Sequence, residues 1–144
     1  MKDALRTTGA VILGLVCGGV VNMAIVLIGP SIVPPPPGAD MTTVEGLTAA
    51  MPMLEAKHFL MPFLAHAVGT LVGALVATLL TRTHRMIAAS VIGVFFLAGG
   101  IAASRMIPAP TWFVVMDLVG AYLPMAWLGL LLAGRLKPAD AAQR

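Results

Sequence analysis

Two imidazoles and two carboxylates give this chain its chemistry: Glu55, His58 and His66 share one apolar stretch, and Asp117 stands alone in another. At 100° per residue, the eleven steps from Glu55 to His66 return to within about 20° of the starting direction, with His58 about 60° to one side. Groups of these types accept and donate protons, pair with cations, or ligate a metal. Their face continues as Gly69, Gly73 and Ala77, so a polar stripe gives way to a small-residue packing stripe.

Spacing limits the metal chemistry. Glu55-x-x-His58 matches the carboxylate–histidine pair of di-iron bundles, but such sites use two pairs and further carboxylates, and one pair is present here. A mononuclear site would draw on Glu55, His58, His66 and Asp117, and about 12 Å of rise between the histidines would have to be closed by a bend at Pro62. A bis-histidine haem needs ligands facing each other from separate helices; His58 and His66 share one, which argues against haem. No other cofactor is indicated. The sequence has no serine elbow, glycine-rich phosphate loop, H-E-x-x-H or Cys-x-x-Cys, so a non-enzymatic role is expected.

The elements that carry these groups follow from composition. The 144 residues are 59% hydrophobic and 10% charged, with a mean hydropathy of +0.97, against about 25% charged in soluble domains. An all-α integral membrane protein is expected: one domain over 1–144, a four-helix transmembrane bundle with helices at about 9–28, 53–80, 86–107 and 111–134. Lys2, Arg6, Arg82, Arg85, Arg135, Lys137 and Arg144 fall on one side. Lys57 and Arg105 fall on the other, with Asp40, Glu45 and Glu55. The positive-inside rule therefore predicts a bacterial-type inner-membrane protein with cytoplasmic termini and an outward-facing loop over 29–52. Lys2 and Arg6 ahead of an apolar run reaching Cys17 imitate a lipoprotein signal, but Val16 precedes the cysteine and the run continues to Ile28, which suits a retained helix.

In the outer loop, Gly29 and Pro30 are expected to stop helix 1, and Pro34 to Pro37 to form a stiff strut ended by Gly38. Thr42 with Glu45 fits a capping box for a short outer amphipathic helix along Val44, Leu47 and Met51, in which Gly46 is the weak point. Pro52 then suits the first turn of helix 2.

Depth brings distant residues together. Asn22 lies six residues below the outer end of helix 1, and His66 and Asp117 lie at similar depths in helices 2 and 4, a shared layer roughly 8–12 Å below the outer boundary. Arg105, near the outer end of helix 3, can fold toward Asp117, which must be paired, protonated or hydrated at such depth. The inner half offers hydroxyls and ring donors such as Ser90, Thr78, Tyr122 and Trp127. Pro62 and Pro124 are expected to kink their helices. Gly14 with Gly18, and Gly69 with Gly73, form G-x-x-x-G pairs that let helices approach closely. Helix 3 is also rich in small residues, and the surplus suggests a homo-oligomer or a larger complex within the lipid bilayer. Nothing signals nucleic-acid binding.

The leading expectation is an outward-facing intramembrane site of Asn22, Glu55, His58, His66, Arg105 and Asp117 that binds or transports a small solute or ion. A non-catalytic accessory subunit of a larger membrane complex is the alternative, and a metal-dependent membrane enzyme ranks third.

Overall fold

The computed structural model of the chain describes residues 2–136. Lys137 and Arg144, counted above among the basic residues of one side, lie outside the described residues. Within those bounds the chain is helical and has no strand: α1 (Lys2–Ile32), α2 (Val44–Ala50), α3 (Leu60–Leu80), α4 (Arg85–Met106), α5 (Thr111–Gly120) and α6 (Leu123–Leu136). Two 3₁₀ turns, Met51–Met53 and Ala56–Phe59, lead into α3. Four stretches are long and apolar enough to cross a membrane: Lys2–Ile32, Ala56–Leu80, Arg85–Met106 and Thr111–Leu136.

Helix α3 packs against α1, α4 and α6. Its register with α1 is antiparallel and set by glycine. Arg6 Nε donates to Leu80 O at 2.8 Å at one end, Gly14 faces Gly73 and Gly18 faces Gly69 along the middle, and Gly29 meets Met61 near the other end. A Cβ on Gly14 would lie 2.6 Å from Gly73 O, and one on Gly69 would lie 2.9 Å from Gly18 O. Only hydrogen side chains permit that approach, which replaces side-chain burial with backbone dispersion contacts. The two G-x-x-x-G faces therefore meet each other within one chain. Gly93 on α4 receives Ala126 of α6, and Gly129 on α6 receives the backbone of Leu71 and Leu75. The buried cluster of Ala74, Ala77, Ala88, Ala89, Ile92 and Ala126 continues the same small-residue packing.

Four local features differ from the sequence reading. Helix α1 runs through Gly29 and Pro30 to Ile32, because Pro30 removes one N–H near the helix end and Val33 N closes the last turn on Gly29 O at 2.8 Å. The cap of α2 is Thr43, whose hydroxyl accepts from Gly46 N at 2.9 Å. Thr42 instead donates its backbone N–H and its hydroxyl to Asp40 Oδ1, at 2.8 and 2.6 Å. Regular helix in the second span begins at Leu60, not near 53, which puts Pro62 in the first turn of α3, where a missing N–H costs no intrahelical bond. The fourth span is broken at residues 121 and 122. Pro124, the second residue of α6, cannot return a hydrogen bond to Gly120.

Gly38 has φ of 81° and follows Pro37, with Ala39 N bonded to Pro36 O at 3.1 Å. This is a type II turn, and it needs glycine at its third position. It folds the 33–50 segment back over the end of the bundle where α1 finishes and α3 begins.

Candidate functional site

Asp117 is in the last turns of α5 and His66 is in the second turn of α3. His66 Nδ1 lies 2.8 Å from Asp117 Oδ1 and 3.0 Å from Oδ2, while the Tyr122 hydroxyl donates to Oδ2 at 2.8 Å. The carboxylate is sealed, its side chain 7% exposed, whereas the imidazole is 26% exposed and forms the open side of the group. The Tyr122 ring lies against the His66 ring at a centroid distance of 5.7 Å. Residues five apart point about 140° away from each other on a regular helix. Tyr122 reaches Asp117 because the break at 121 and 122 redirects it.

Gly100 makes room for that tyrosine: a Cβ there would overlap the Tyr122 hydroxyl and ring. Tyr122, 1% exposed, and Asp117 together fill the space where α4, α5 and α3 converge. A buried carboxylate without partners would be among the costliest groups in such a core, and two hydrogen bonds from fixed donors offset that cost.

A cavity of about 320 Å³ borders this group, and its wall includes both His66 and Asp117. Its lining is mainly apolar and comes from α1 (Val26, Pro30), α3 (Met61), α4 (Ala103) and α5 (Val114, Leu118). Val33, Pro35, Met41 and Leu47 of the 33–50 segment also line it. The segment is held in shape by Asp40, which accepts hydrogen bonds from Thr42 and from the Thr43 hydroxyl, the latter at 2.9 Å. Gly46, which weakens α2 as a helix, is explained by the same contact, since a Cβ there would meet the Asp40 carboxylate at 2.5 Å. These hydrogen bonds, chiefly from Thr42, hold the Asp40 carboxyl below its ordinary pKa.

Of the six residues assigned to the site from sequence, three border the cavity: His58, His66 and Asp117. His58 is fixed by a reciprocal cap with Glu55, whose backbone N–H donates to His58 Nδ1 at 2.9 Å. The Glu55 side chain is exposed and pairs with Lys57 at 3.0 Å, and that lysine holds its carboxyl below the ordinary value. Asn22 shares the depth of the site but packs its Cβ against Gly69 and does not line the cavity. Arg105 is exposed and forms no ion pair with Asp117; histidine and tyrosine take that role. Among the described residues no three His, Cys, Asp or Glu side chains converge as metal ligands: the Glu55 carboxylate is taken up by Lys57, and two helical turns separate His58 from His66.

Tyr122, Gly100 and Ser104 are members of the site that sequence reasoning missed. Ser104 lines the cavity with its hydroxyl donated to Ile101 O at 2.9 Å. The available signal was Gly120 and Pro124 four residues apart, which marks a helix break and hence a tyrosine that need not follow helical periodicity. Chemically, the carboxylate fixes the proton and orientation of the His66 ring, which leaves the other ring nitrogen for a proton or a hydrogen-bonded ligand.

The chain matches no protein-family model, and neither a curated protein nor a solved structure is similar to it.

Proposed function

We propose that this is an integral membrane protein of a bacterial-type inner membrane, with both termini cytoplasmic, that binds or carries a small solute in the cavity beneath its 33–50 segment. The membrane reading is supported by the four apolar spans and by the large apolar side chains left exposed on α1 and α4, such as Val16, Val20, Val94 and Phe95. The orientation is supported by the basic residues Lys2, Arg6, Arg82, Arg85 and Arg135 at one end of the bundle, against Asp40, Glu45 and Glu55 at the other.

One observation carries the binding reading: a sealed carboxylate is held by His66 and Tyr122 at the wall of an apolar cavity, and the imidazole is the part left accessible. Ionisable groups at such depth are expensive and mark sites, and an apolar pocket with a few convergent polar groups is the usual form of a small-molecule site. The cavity and its polar wall draw on residues of one chain, and the two G-x-x-x-G faces pack against each other within it.

Native mass spectrometry of protein extracted gently from its own membranes tests the proposal. The expected result is a bound small-molecule mass that persists in Gly99→Ala and is lost in His66→Ala, with both variants still folded. A reproducible complex with other chains and no adduct would overturn it in favour of an accessory subunit.

A further inference from the structure

Named contacts close three sides of the cavity, and the fourth differs from them. Between α1 and α3 the glycine seam continues to Gly29 and Met61. Between the second span and α5 stand the His66–Asp117 pair and, nearer the outer end, the Phe59 and Phe113 rings at a centroid distance of 4.9 Å. Helices α4 and α5 are joined by residues 107–110, where Ala109 N bonds Ile107 O at 2.9 Å, and Tyr122 fills the space at Gly100. The 33–50 segment covers the end of the bundle.

Helices α1 and α4 form the remaining side. They run parallel and meet in the inner half: a Cβ on Gly14 would lie 3.2 Å from Ile92 Cδ1, and one on Gly18 would lie 3.0 Å from Phe96 Cζ. Continued at the same offset, Val26 comes level with Ser104 about two turns further on. At that level both helices line the cavity, α1 with Val26 and Gly29 and α4 with Ala103 and Ser104. Val26 is nevertheless 45% exposed, and Met23, Leu27 and Ile101 beside it are exposed and apolar. The cavity thus extends toward the flank of the bundle, between two helices with apolar outer surfaces.

Building on the binding site proposed above, we infer that the cavity takes its ligand sideways from the bilayer, between α1 and α4, and that this ligand is an uncharged single-chain lipid with a hydroxyl head. The head bonds the His66 ring, and the chain passes back out between the two helices. A hydroxyl both donates and accepts, so it bonds the ring nitrogen that Asp117 does not hold whether or not that nitrogen carries a proton. A charged head would be costly in a mainly apolar space, because the Asp117 carboxylate is already bonded by His66 and Tyr122. The volume of about 320 Å³ is at the small end for ligand pockets, about 300–1,000 Å³, which holds the head and the first part of a chain and leaves the rest among lipids.

The test uses the full chain in vesicles of phosphatidylethanolamine and phosphatidylglycerol, with hexadecanol carrying a photoreactive diazirine close to its head. Labelled residues are mapped by mass spectrometry. In wild type, unlabelled hexadecanol is expected to lower the label on Val26 and Ala103 about five-fold or more beyond what hexadecane or hexadecyltrimethylammonium achieves. Label on Val16 and Phe95, which face outward, should not be competed. Ala103→Phe, which fills the gap, is expected to lose the competed label, and Gly99→Ala to keep it. His66→Ala is expected to abolish the advantage of the alcohol over the hydrocarbon. Competition in wild type by hexadecane or by the ammonium equal to that of the alcohol would overturn the inference, as would competed label that persists in folded Ala103→Phe. If native mass spectra then still show an adduct lost in His66→Ala, the binding site stands without this ligand; with no such adduct, both fall.

Discussion

A Cβ on Gly100 would fall on the hydroxyl of Tyr122, so the space left by one absent side chain on α4 holds the donor that secures the Asp117 carboxylate. Gly100→Ala is expected to displace Tyr122, strip Asp117 of one hydrogen bond, and destabilise the fold by about 1–3 kcal/mol. Gly99→Ala, with no atom within 4 Å of its new methyl, is the control and should be neutral. Thermal unfolding in detergent separates the two; equal midpoints would mean that the tyrosine is not held as described.

Tyr122→Phe removes the same hydrogen bond without disturbing volume. Its expected cost is about 1–2 kcal/mol, since the partner is a charged group that stays buried. His66 still reaches Asp117 in this variant, so ligand binding should weaken less than in His66→Ala. Unfolding and adduct retention measured on the same preparations check both halves.

Along the α1–α3 contact, Gly18→Ala and Gly69→Ala press a methyl against backbone oxygen, at 2.6 Å from Gly69 O and 2.9 Å from Gly18 O. Each is expected to cost about 1–3 kcal/mol by forcing the helices apart. Gly19→Ala meets nothing within 4 Å and should not. Detergent stability across the three reports whether this face is an internal seam. If all three were neutral in the monomer and changed only its association, the seam would lie between molecules.

The turn beneath the cavity roof is expected to respond to acid. The Asp40 carboxyl titrates below its ordinary value because Thr42 and Thr43 bond its ionised form. A depressed carboxylate stabilises the segment at pH above its unfolded pKa and loses that contribution as pH falls through the folded one. Protection from hydrogen exchange over residues 39–48, taken relative to the intrinsic rate at each pH, should therefore be high at neutral pH and fall below the usual carboxylate range. Asp40→Ala should show low protection at every pH, and protection that stayed flat in wild type would refute the staple.

How far the site could be read from the sequence is shown by Asn22, His66 and Asp117. Composition alone fixes four apolar spans, and counting residues from their ends brings the three to one level. Depth, however, says nothing of direction around each helix. His66 and Asp117 turn toward each other, while Asn22 turns toward Gly69. Arg105 fails for the same reason, being near in depth and turned outward. Counting depth along the fourth span puts Tyr122 in the opposite half, yet at the helix break its hydroxyl reaches back to Asp117. Thr42 and Thr43 both precede an acidic or small residue at capping distance, and Asp40, upstream of the pattern, decides between them. Long, uniform segments carry their own evidence, whereas breaks and caps depend on groups that the local pattern does not include.

The order in which the parts of the site leave the ribosome sets when it can work. The glycine seam between α1 and α3 lies within the first 80 residues and can close while the rest of the chain is still being synthesised. His66 is then in place, but Asp117 follows 51 residues later, roughly 3–10 s at translation rates of about 5–20 residues per second. Until that last span arrives, nothing fixes the proton on the imidazole and the cavity lacks the wall supplied by α5. A bundle without α5 lacks both, so the His66–Asp117 pair forms only after Asp117 has been made.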